Sequence, residues 1–226
     1  MFYKIAHRGA SGYEVENTLE SIQKAIDLGV DGIELDVHVC ASGEVVVFHD
    51  FTLDRLTNTI GPITNFTFKE LQEIKVKNTY SIPLLTQVLA ITKNKCWLNI
   101  ELKGMHSAEA THIVLEQFCN ETNYSESNFL ISSFQIDELN TFSQLSNKFP
   151  LAVLTQASIE QAIDFGKQIN AKAIHPHFSL LTEESCNKAK KIGFEINTWT
   201  LNDKVDIEHV KRFSIDGIIS DFPDRI

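Results

Sequence analysis

The residues best suited to chemistry lie in two short alternating stretches. In Ile33-Glu34-Leu35-Asp36-Val37 the two-residue period of a strand puts Glu34 and Asp36 on one face and three apolar side chains on the other. Leu98-Asn99-Ile100-Glu101-Leu102-Lys103 repeats the pattern, with Asn99, Glu101 and Lys103 on its polar face. If both polar faces point into one enclosed space, three carboxylates and an ammonium group converge there. Carboxylates crowded in a poorly solvated space raise one another's pKa unless a cation neutralises them, so one bound divalent ion is expected. An all-oxygen donor set without a Cys or His cluster points to Mg²⁺ or Ca²⁺ rather than zinc.

His7-Arg8-Gly9 follows a strand-like run at Tyr3-His7, and His49-Asp50 follows another at Val45-His49. Arg8 offers a planar fork suited to a phosphate, and His7 and His49 supply two imidazoles, the side chain best suited to exchange protons, so the pair can trade acid and base roles in ester cleavage beside a metal. The histidines at 38, 106, 112 and 209 have no such company and are expected to be structural.

A barrel best explains how these groups could meet. From about residue 95 onward, β-rich runs alternate with helical patterns, as in βαβ units. Strand candidates are Tyr3-His7, Gly32-Val37, Val45-His49, Trp97-Leu102, Phe129-Ser132, Leu151-Leu154, Ala171-Ile174, Phe194-Thr198 and Gly217-Ser220, one more than an eight-stranded barrel holds. The connection Val39–Glu44 is long enough for a hairpin but too short to return a parallel partner, which makes Val45-His49 an antiparallel excursion. Leu19, Ile22 and Ile26 give the first helix its apolar face, Ser158 with Gln161 fits a capping box, and Thr182 and Gly193 bracket a later helix. Residues 50–85 break the rhythm, with turn signals and one short helical stretch near Phe68-Ile74. The expected architecture is one α/β domain over residues 1–226, a (β/α)₈ TIM barrel with a small insertion after the second strand, at about 50–85. The length of 226 residues and 43% hydrophobic content suit that fold. Barrel strands have no water-facing side, so their polar residues should crowd inward near the C-terminal ends, where barrel enzymes keep their active sites.

The chain resembles the glycerophosphodiester phosphodiesterases. The resemblance runs through His7-Arg8-Gly9-Ala10, Glu16-Asn17-Thr18, Gly32-Val37, His49-Asp50-Phe51-Thr52-Leu53-Asp54-Arg55 and Ile82-Pro83-Leu84-Leu85. It continues in Asn99-Lys103, Ser132-Ser133-Phe134, Trp199-Thr200-Leu201-Asn202 and Asp216-Asp221. It implies that His7 and His49 are the catalytic acid and base, that Glu34, Asp36 and Glu101 hold the metal, and that Arg8 clamps the phosphate. It further implies that Lys103 opposes transition-state charge and that Trp199 borders the glycerol or alcohol pocket. The implied reaction is hydrolysis of glycerophosphoalcohols such as glycerophosphocholine to sn-glycerol 3-phosphate and an alcohol. Val15 stands where the family usually has proline, which removes no chemical group, and Leu85 where it more often has Thr or Ser; neither change touches the five residues that the resemblance assigns to catalysis and metal.

The expected partner is a small glycerophosphodiester. A net charge of -10 argues against nucleic acid, and no apolar run approaches the ~18 residues of a membrane span, so no stable membrane association is expected. Four scattered cysteines without a CxxC pair suit reduced thiols and a cytoplasmic protein, a monomer or small homo-oligomer. A Schiff-base aldolase fits poorly, because Lys103 beside three carboxylates should stay protonated. A phospholipase D of the related toxin type would suit a secreted, disulfide-bonded chain better. A non-catalytic phosphate-binding barrel would have no use for both histidines.

Overall fold

The computed structural model describes residues 2–226. In chain order the elements begin β1 (Tyr3–His7), α1 (Leu19–Asp27), β2 (Gly32–Val39), β3 (Val45–Val47), α2 (Phe68–Glu73), β4 (Lys75–Val76), β5 (Tyr80–Ser81) and α3 (Leu85–Thr92). A regular alternation follows: β6 (Trp97–Leu102), α4 (Ser107–Thr122), β7 (Phe129–Ser133), α5 (Ile136–Leu145), β8 (Leu151–Thr155), α6 (Ile159–Gln168), β9 (Ala173–Pro176), α7 (Glu183–Ile192), β10 (Glu195–Thr198), α8 (Lys204–Val210) and β11 (Gly217–Ser220). The sheet runs β1-β11-β10-β9-β8-β7-β6-β2, and β1 pairs with β2 to close it. The result is a closed eight-stranded parallel barrel with helices between the strands. β3 pairs antiparallel with β2, through Val37–Val47 and Val39–Val45, as the short connection requires, and its outer side carries only a single bridge from Val46 to Leu84.

Several strand boundaries differ from the sequence expectation: the run at 45–49 is a strand only over Val45–Val47, β10 starts one residue later, and β2, β7 and β8 run one or two residues further. The run placed at 171–174 forms Ala173–Pro176, because Ala171 closes α6 by donating its N–H to Gly166 O and Lys172 N pairs with Leu151 O. The pair β4–β5 was not anticipated: two residues each are too few for a period-two signal. The capping box at α6 is half made, since Ser158 Oγ accepts from Gln161 N without a return bond from the Gln161 side chain. Thr182 caps α7, and Gly193 ends it at φ +107°, as the spacing implied.

Ile33, Leu35 and Val37 face outward and join Ile100, Leu102, Ile131 and the inner faces of the helices in the main core. Ile22 of α1 is buried there, with Leu19 and Ile26 packed at its edge. Inside the barrel, Leu130, Ala152 and Ala173 form the N-terminal layer, packed by Trp97. That indole needs Gly32 opposite it, where an added Cβ would lie 2.5 Å from the ring. The segment between β3 and α3 encloses a satellite core of Phe48, Leu53, Leu56, Ile63, Leu71, Val76 and Ile82. This second core gives the excursion its own anchorage beside the barrel. Among the described residues no helix is long and apolar enough to cross a membrane, and all four cysteines are free.

Candidate functional site

The parallel register of β2 and β6 pairs Glu34 with Asn99 and Asp36 with Glu101. Side chains at these positions point inward in adjacent rows, and donor oxygens of Glu34, Asp36 and Glu101 lie within 4.8 Å of one another. All three residues are buried. Burial, reinforced by Asp36 and Glu101, pushes the Glu34 carboxyl well above the usual carboxylate range. Burial and then Asp36 raise Glu101 to about 7, against the pull of Lys103. The ionised forms of Glu34 and Glu101 are therefore disfavoured, and two nearby side-chain cations do not cancel the effect. The donor set is therefore one that a hard divalent cation fits: oxygen only, closely spaced and in need of positive charge.

Cationic groups border the cluster. Lys103 Nζ donates to Glu101 Oε1 at 2.9 Å and lies 3.7 Å from Asp36 Oδ1. Burial works against the Lys103 charge, but Glu101 and Asp36 outweigh it and raise its pKa, so the side chain stays an ammonium ion. Arg8 ends β1 in a left-handed conformation, φ 55°, followed by Gly9 at φ 77°. A Cβ on Gly9 would meet Ser21 at 2.5 Å, so the tight turn against α1 requires glycine there. This turn aims the Arg8 N–H at Glu34 Oε2, 2.9 Å away, and brings Arg8 Nε within 3.5 Å of Asp36 Oδ2.

Glu16-Asn17-Thr18 holds the first loop in place by three separate contacts. Glu16 Oε1 accepts from Arg8 Nη1 at 2.7 Å; Asn17 Nδ2 donates to Asp36 Oδ2 at 2.8 Å; Thr18 and Ser21 cap α1 reciprocally. Asn17 takes φ 57°, a conformation that Asn tolerates better than most residues. Val15 packs on the satellite core and its carbonyl accepts from Thr18 Oγ1, so the loop is fixed without proline.

His7 and His49 each face a carboxylate at Nδ1. Asp221 Oδ1 lies 2.6 Å from His7 Nδ1, and Asp50 Oδ1 lies 2.6 Å from His49 Nδ1. Despite burial, hydrogen bonds from His7, Asn202 and Ser11 hold Asp221 at about 2; those from Arg55 and His49 do the same for Asp50. Both carboxylates are ionised at neutral pH and can only accept, so Nδ1 of each imidazole donates to its carboxylate, while Nε2 of each makes no hydrogen bond among the described residues. Burial lowers the pKa of His49, favouring its neutral form. His38 is fully buried, and its Nε2 donates to His49 O at 3.2 Å, fixing the end of the hairpin.

A cavity of ≈ 290 Å³ opens at the C-terminal end of the barrel, with His7, Arg8, Glu34, His49, Glu101, Lys103 and Trp199 in its wall. Asp36 lies behind this wall, 1% exposed. Apolar walls come from Phe134, Leu154 and Ile219. Trp199 donates from Nε1 to His175 O at 2.8 Å and meets Phe134 edge to face, which holds the indole as a rigid border. All the site residues anticipated from sequence thus meet at one place, seven of them lining the cavity. His38, His106, His112 and His209 do not line it. Sequence reasoning assigned no role to Asp50, Asp221, Asn17, Glu16 or Arg55, although all five stand in the motifs quoted above. Their polar partners are distant in sequence, except for the adjacent pair His49-Asp50 and the nearby pairs Asp50–Arg55 and Arg8–Glu16.

Solved structures of similar proteins share this fold. The model of the glycerophosphoryl diester phosphodiesterase family matches residues 7–225. A glycerophosphodiester phosphodiesterase of Bacillus altitudinis is 34% identical over 233 residues, covering 97% of this chain and 94% of its own. The solved glycerophosphodiester phosphodiesterase of Thermotoga maritima superimposes with a TM-score of 0.82 at 30% identity, over 99% of this chain and 96% of its own. An Oleispira antarctica phosphodiesterase, solved with the product sn-glycerol-3-phosphate, gives a TM-score of 0.89 at 25% identity, over 98% and 94% of the two chains. With its barrel closed by the same topology and its match extending over nearly its full length, this chain belongs to the glycerophosphoryl diester phosphodiesterase family.

Proposed function

We propose that the protein hydrolyses glycerophosphodiesters, glycerophosphoalcohols such as glycerophosphocholine, to sn-glycerol 3-phosphate and an alcohol. The observation that carries this reading is the placement of two Asp-held imidazoles, an arginine and a lysine around one acidic cluster in a single cavity. Glu34, Asp36 and Glu101 would hold one divalent cation, Mg²⁺ or Ca²⁺, which supplies Lewis-acid polarisation of a phosphoryl oxygen.

Arg8 and Lys103 bind the phosphate and oppose the negative charge that grows on it in the transition state. His7 and His49 present Nε2 to the cavity; one accepts the proton of the attacking hydroxyl and the other delivers a proton to the leaving oxygen. Trp199, with Phe134, Leu154 and Ile219, borders the glycerol or alcohol moiety and limits the water beside it. No Ser or Cys lines the cavity, and Thr200, which does, has no hydrogen bond to either imidazole, so the attacking group is water or the substrate's own hydroxyl rather than an activated enzyme nucleophile. The neighbouring glycerol hydroxyl has the advantage of proximity, which favours ring closure to a cyclic 1,2-phosphate that water then opens.

The test is product formation from glycerophosphocholine, glycerophosphoethanolamine, glycerophosphoglycerol and glycerophosphoinositol, with and without added Mg²⁺ or Ca²⁺ and with chelator. Release of glycerol 3-phosphate that stops in chelator and returns with the cation supports the reading. Inertness toward all four substrates in either cation rejects it.

A further inference from the structure

Glu16 and Arg55 have no part in the reaction described above. Neither lines the cavity, yet the two side chains join its two sides by an unbroken set of ion pairs. Arg8 Nη1 donates to Glu16 Oε1 at 2.7 Å. Arg55 then donates to both oxygens of Glu16, from Nη2 to Oε1 at 2.7 Å and from Nη1 to Oε2 at 2.8 Å. Its remaining edge grips Asp50, from Nε to Oδ2 at 2.6 Å and from Nη2 to Oδ1 at 2.9 Å. Asp50 in turn accepts from His49 Nδ1.

We propose that Glu16 and Arg55 are positioning residues, a tether that fixes the phosphate-binding Arg8 and the imidazole of His49 relative to each other. The proposal rests on the roles given above to Arg8 and His49. A single exposed ion pair contributes little to stability, because solvent screens it and two long side chains lose freedom. This arrangement differs in geometry: one guanidinium engages two carboxylates through Nε, Nη1 and Nη2, a pattern that lysine cannot reproduce. Arg55 itself is 46% exposed while Glu16 is 17% and Asp50 21% exposed, so Arg55 caps the two carboxylates from outside.

The tether acts on two groups by separate routes. Toward Arg8, it shares the charge of Glu16, which would otherwise compete undivided with a phosphate for the same guanidinium. Toward His49, it holds Asp50 and therefore the plane of the ring. Because Glu16 comes from the loop after β1 and Arg55 from the segment after β3, it also joins two loops whose sequence separation gives no local reason for register.

The experiment compares wild type, Arg55→Gln, Arg55→Lys, Glu16→Gln and the double variant Glu16→Gln/Arg55→Gln, in excess Mg²⁺. The readouts are kcat on glycerophosphocholine and the affinity for inorganic phosphate by calorimetry, with melting curves to verify folding. Arg55→Gln should lower kcat about 10- to 100-fold, the scale of a slightly misplaced catalytic group, and should weaken phosphate binding severalfold. In the Glu16→Gln background the same Arg55 change should leave phosphate affinity unaltered but still lower kcat, because the Asp50 route survives. Arg55→Lys should not restore kcat, and it carries the same comparison if Arg55→Gln does not fold. A folded Arg55→Gln protein with wild-type kcat and phosphate affinity overturns the proposal. So does an equal loss of phosphate affinity with and without Glu16. If wild type is inert on every glycerophosphodiester while the phosphate couplings hold, the substrate assignment fails and the tether stands.

Discussion

Asp221→Asn isolates what a carboxylate does for His7. Asn202 Oδ1 already accepts from Asp221 N and Ser220 Oγ, so its amide is fixed with Nδ2 donating to Asp221 Oδ2 at 2.7 Å. An amide at position 221 cannot satisfy both sides. If its oxygen meets Asn202, its NH₂ faces His7 Nδ1 and forces the proton onto Nε2, the wrong tautomer for a base. If its oxygen meets His7, two NH₂ groups oppose each other at Asn202. The first arrangement removes the acid–base function, and kcat should fall by roughly 10²–10⁴ on glycerophosphocholine. Stability should fall as well. Asp221 is held at about 2 from an ordinary 3.8, which after allowance for partial exposure is worth about 1–2 kcal/mol. Because folding depresses this pKa, the contribution is complete above pH ~4 and disappears as the pH falls toward ~2. Urea unfolding should therefore separate wild type from variant at pH 7 and bring them together in strong acid. Nitrogen-15 spectra of the His7 ring report the tautomer directly. A kcat within threefold of wild type, with Nδ1 still protonated, would refute the argument.

His7→Ala and His49→Ala should each lower kcat at least ~100-fold and leave cation binding nearly intact, whereas His106→Ala and His209→Ala should not; equal losses in all four would empty the assignment. Asp36→Asn or Glu101→Gln should weaken Mg²⁺ or Ca²⁺ binding in calorimetry and remove most turnover without unfolding the chain, and unchanged turnover in strong chelator would contradict the metal role. A substrate analogue lacking the glycerol 2-hydroxyl should bind but turn over very slowly, while phosphorus NMR of the natural substrate should detect a cyclic phosphate early; full-rate hydrolysis of the analogue would establish direct attack by water.

What the sequence made legible was periodic or contiguous. Alternation in Ile33–Val37 and Leu98–Lys103 is a local property, and once the strands close a barrel it leaves inward as the only place for Glu34, Asp36 and Glu101. The antiparallel course of β3 followed from connection length alone. Contacts made by unrelated loops were not legible. Nothing near Asp221 announces a bond to His7, 214 positions away, and nothing near Glu16 announces Arg55. Those partnerships depend on which loop tips the closed barrel brings together. The β4–β5 pair escaped for a different reason, being too short to leave a pattern.

The acidic cluster also makes a prediction about stability, because a group arranged for a ligand is a liability without it. Glu34 is buried beside two other carboxylates, and its charged form is disfavoured first by burial and then by Asp36 and Glu101. Glu34→Gln keeps the shape of the side chain and removes the charge. In protein stripped with chelator near pH 8, that variant should melt at a higher temperature than wild type, since the repulsion is relieved and the amide can still accept from Arg8 N through its oxygen. A cation that binds only the folded state stabilises in proportion to its affinity, so added Mg²⁺ or Ca²⁺ should raise the wild-type melting temperature and move that of the variant far less. The order of the two proteins should then reverse with increasing cation concentration. Thermal melts across a titration of each ion would read this directly. A wild type that melts above Glu34→Gln in chelator, with no response to either cation, would mean that the three carboxylates are balanced by Arg8 and Lys103 alone.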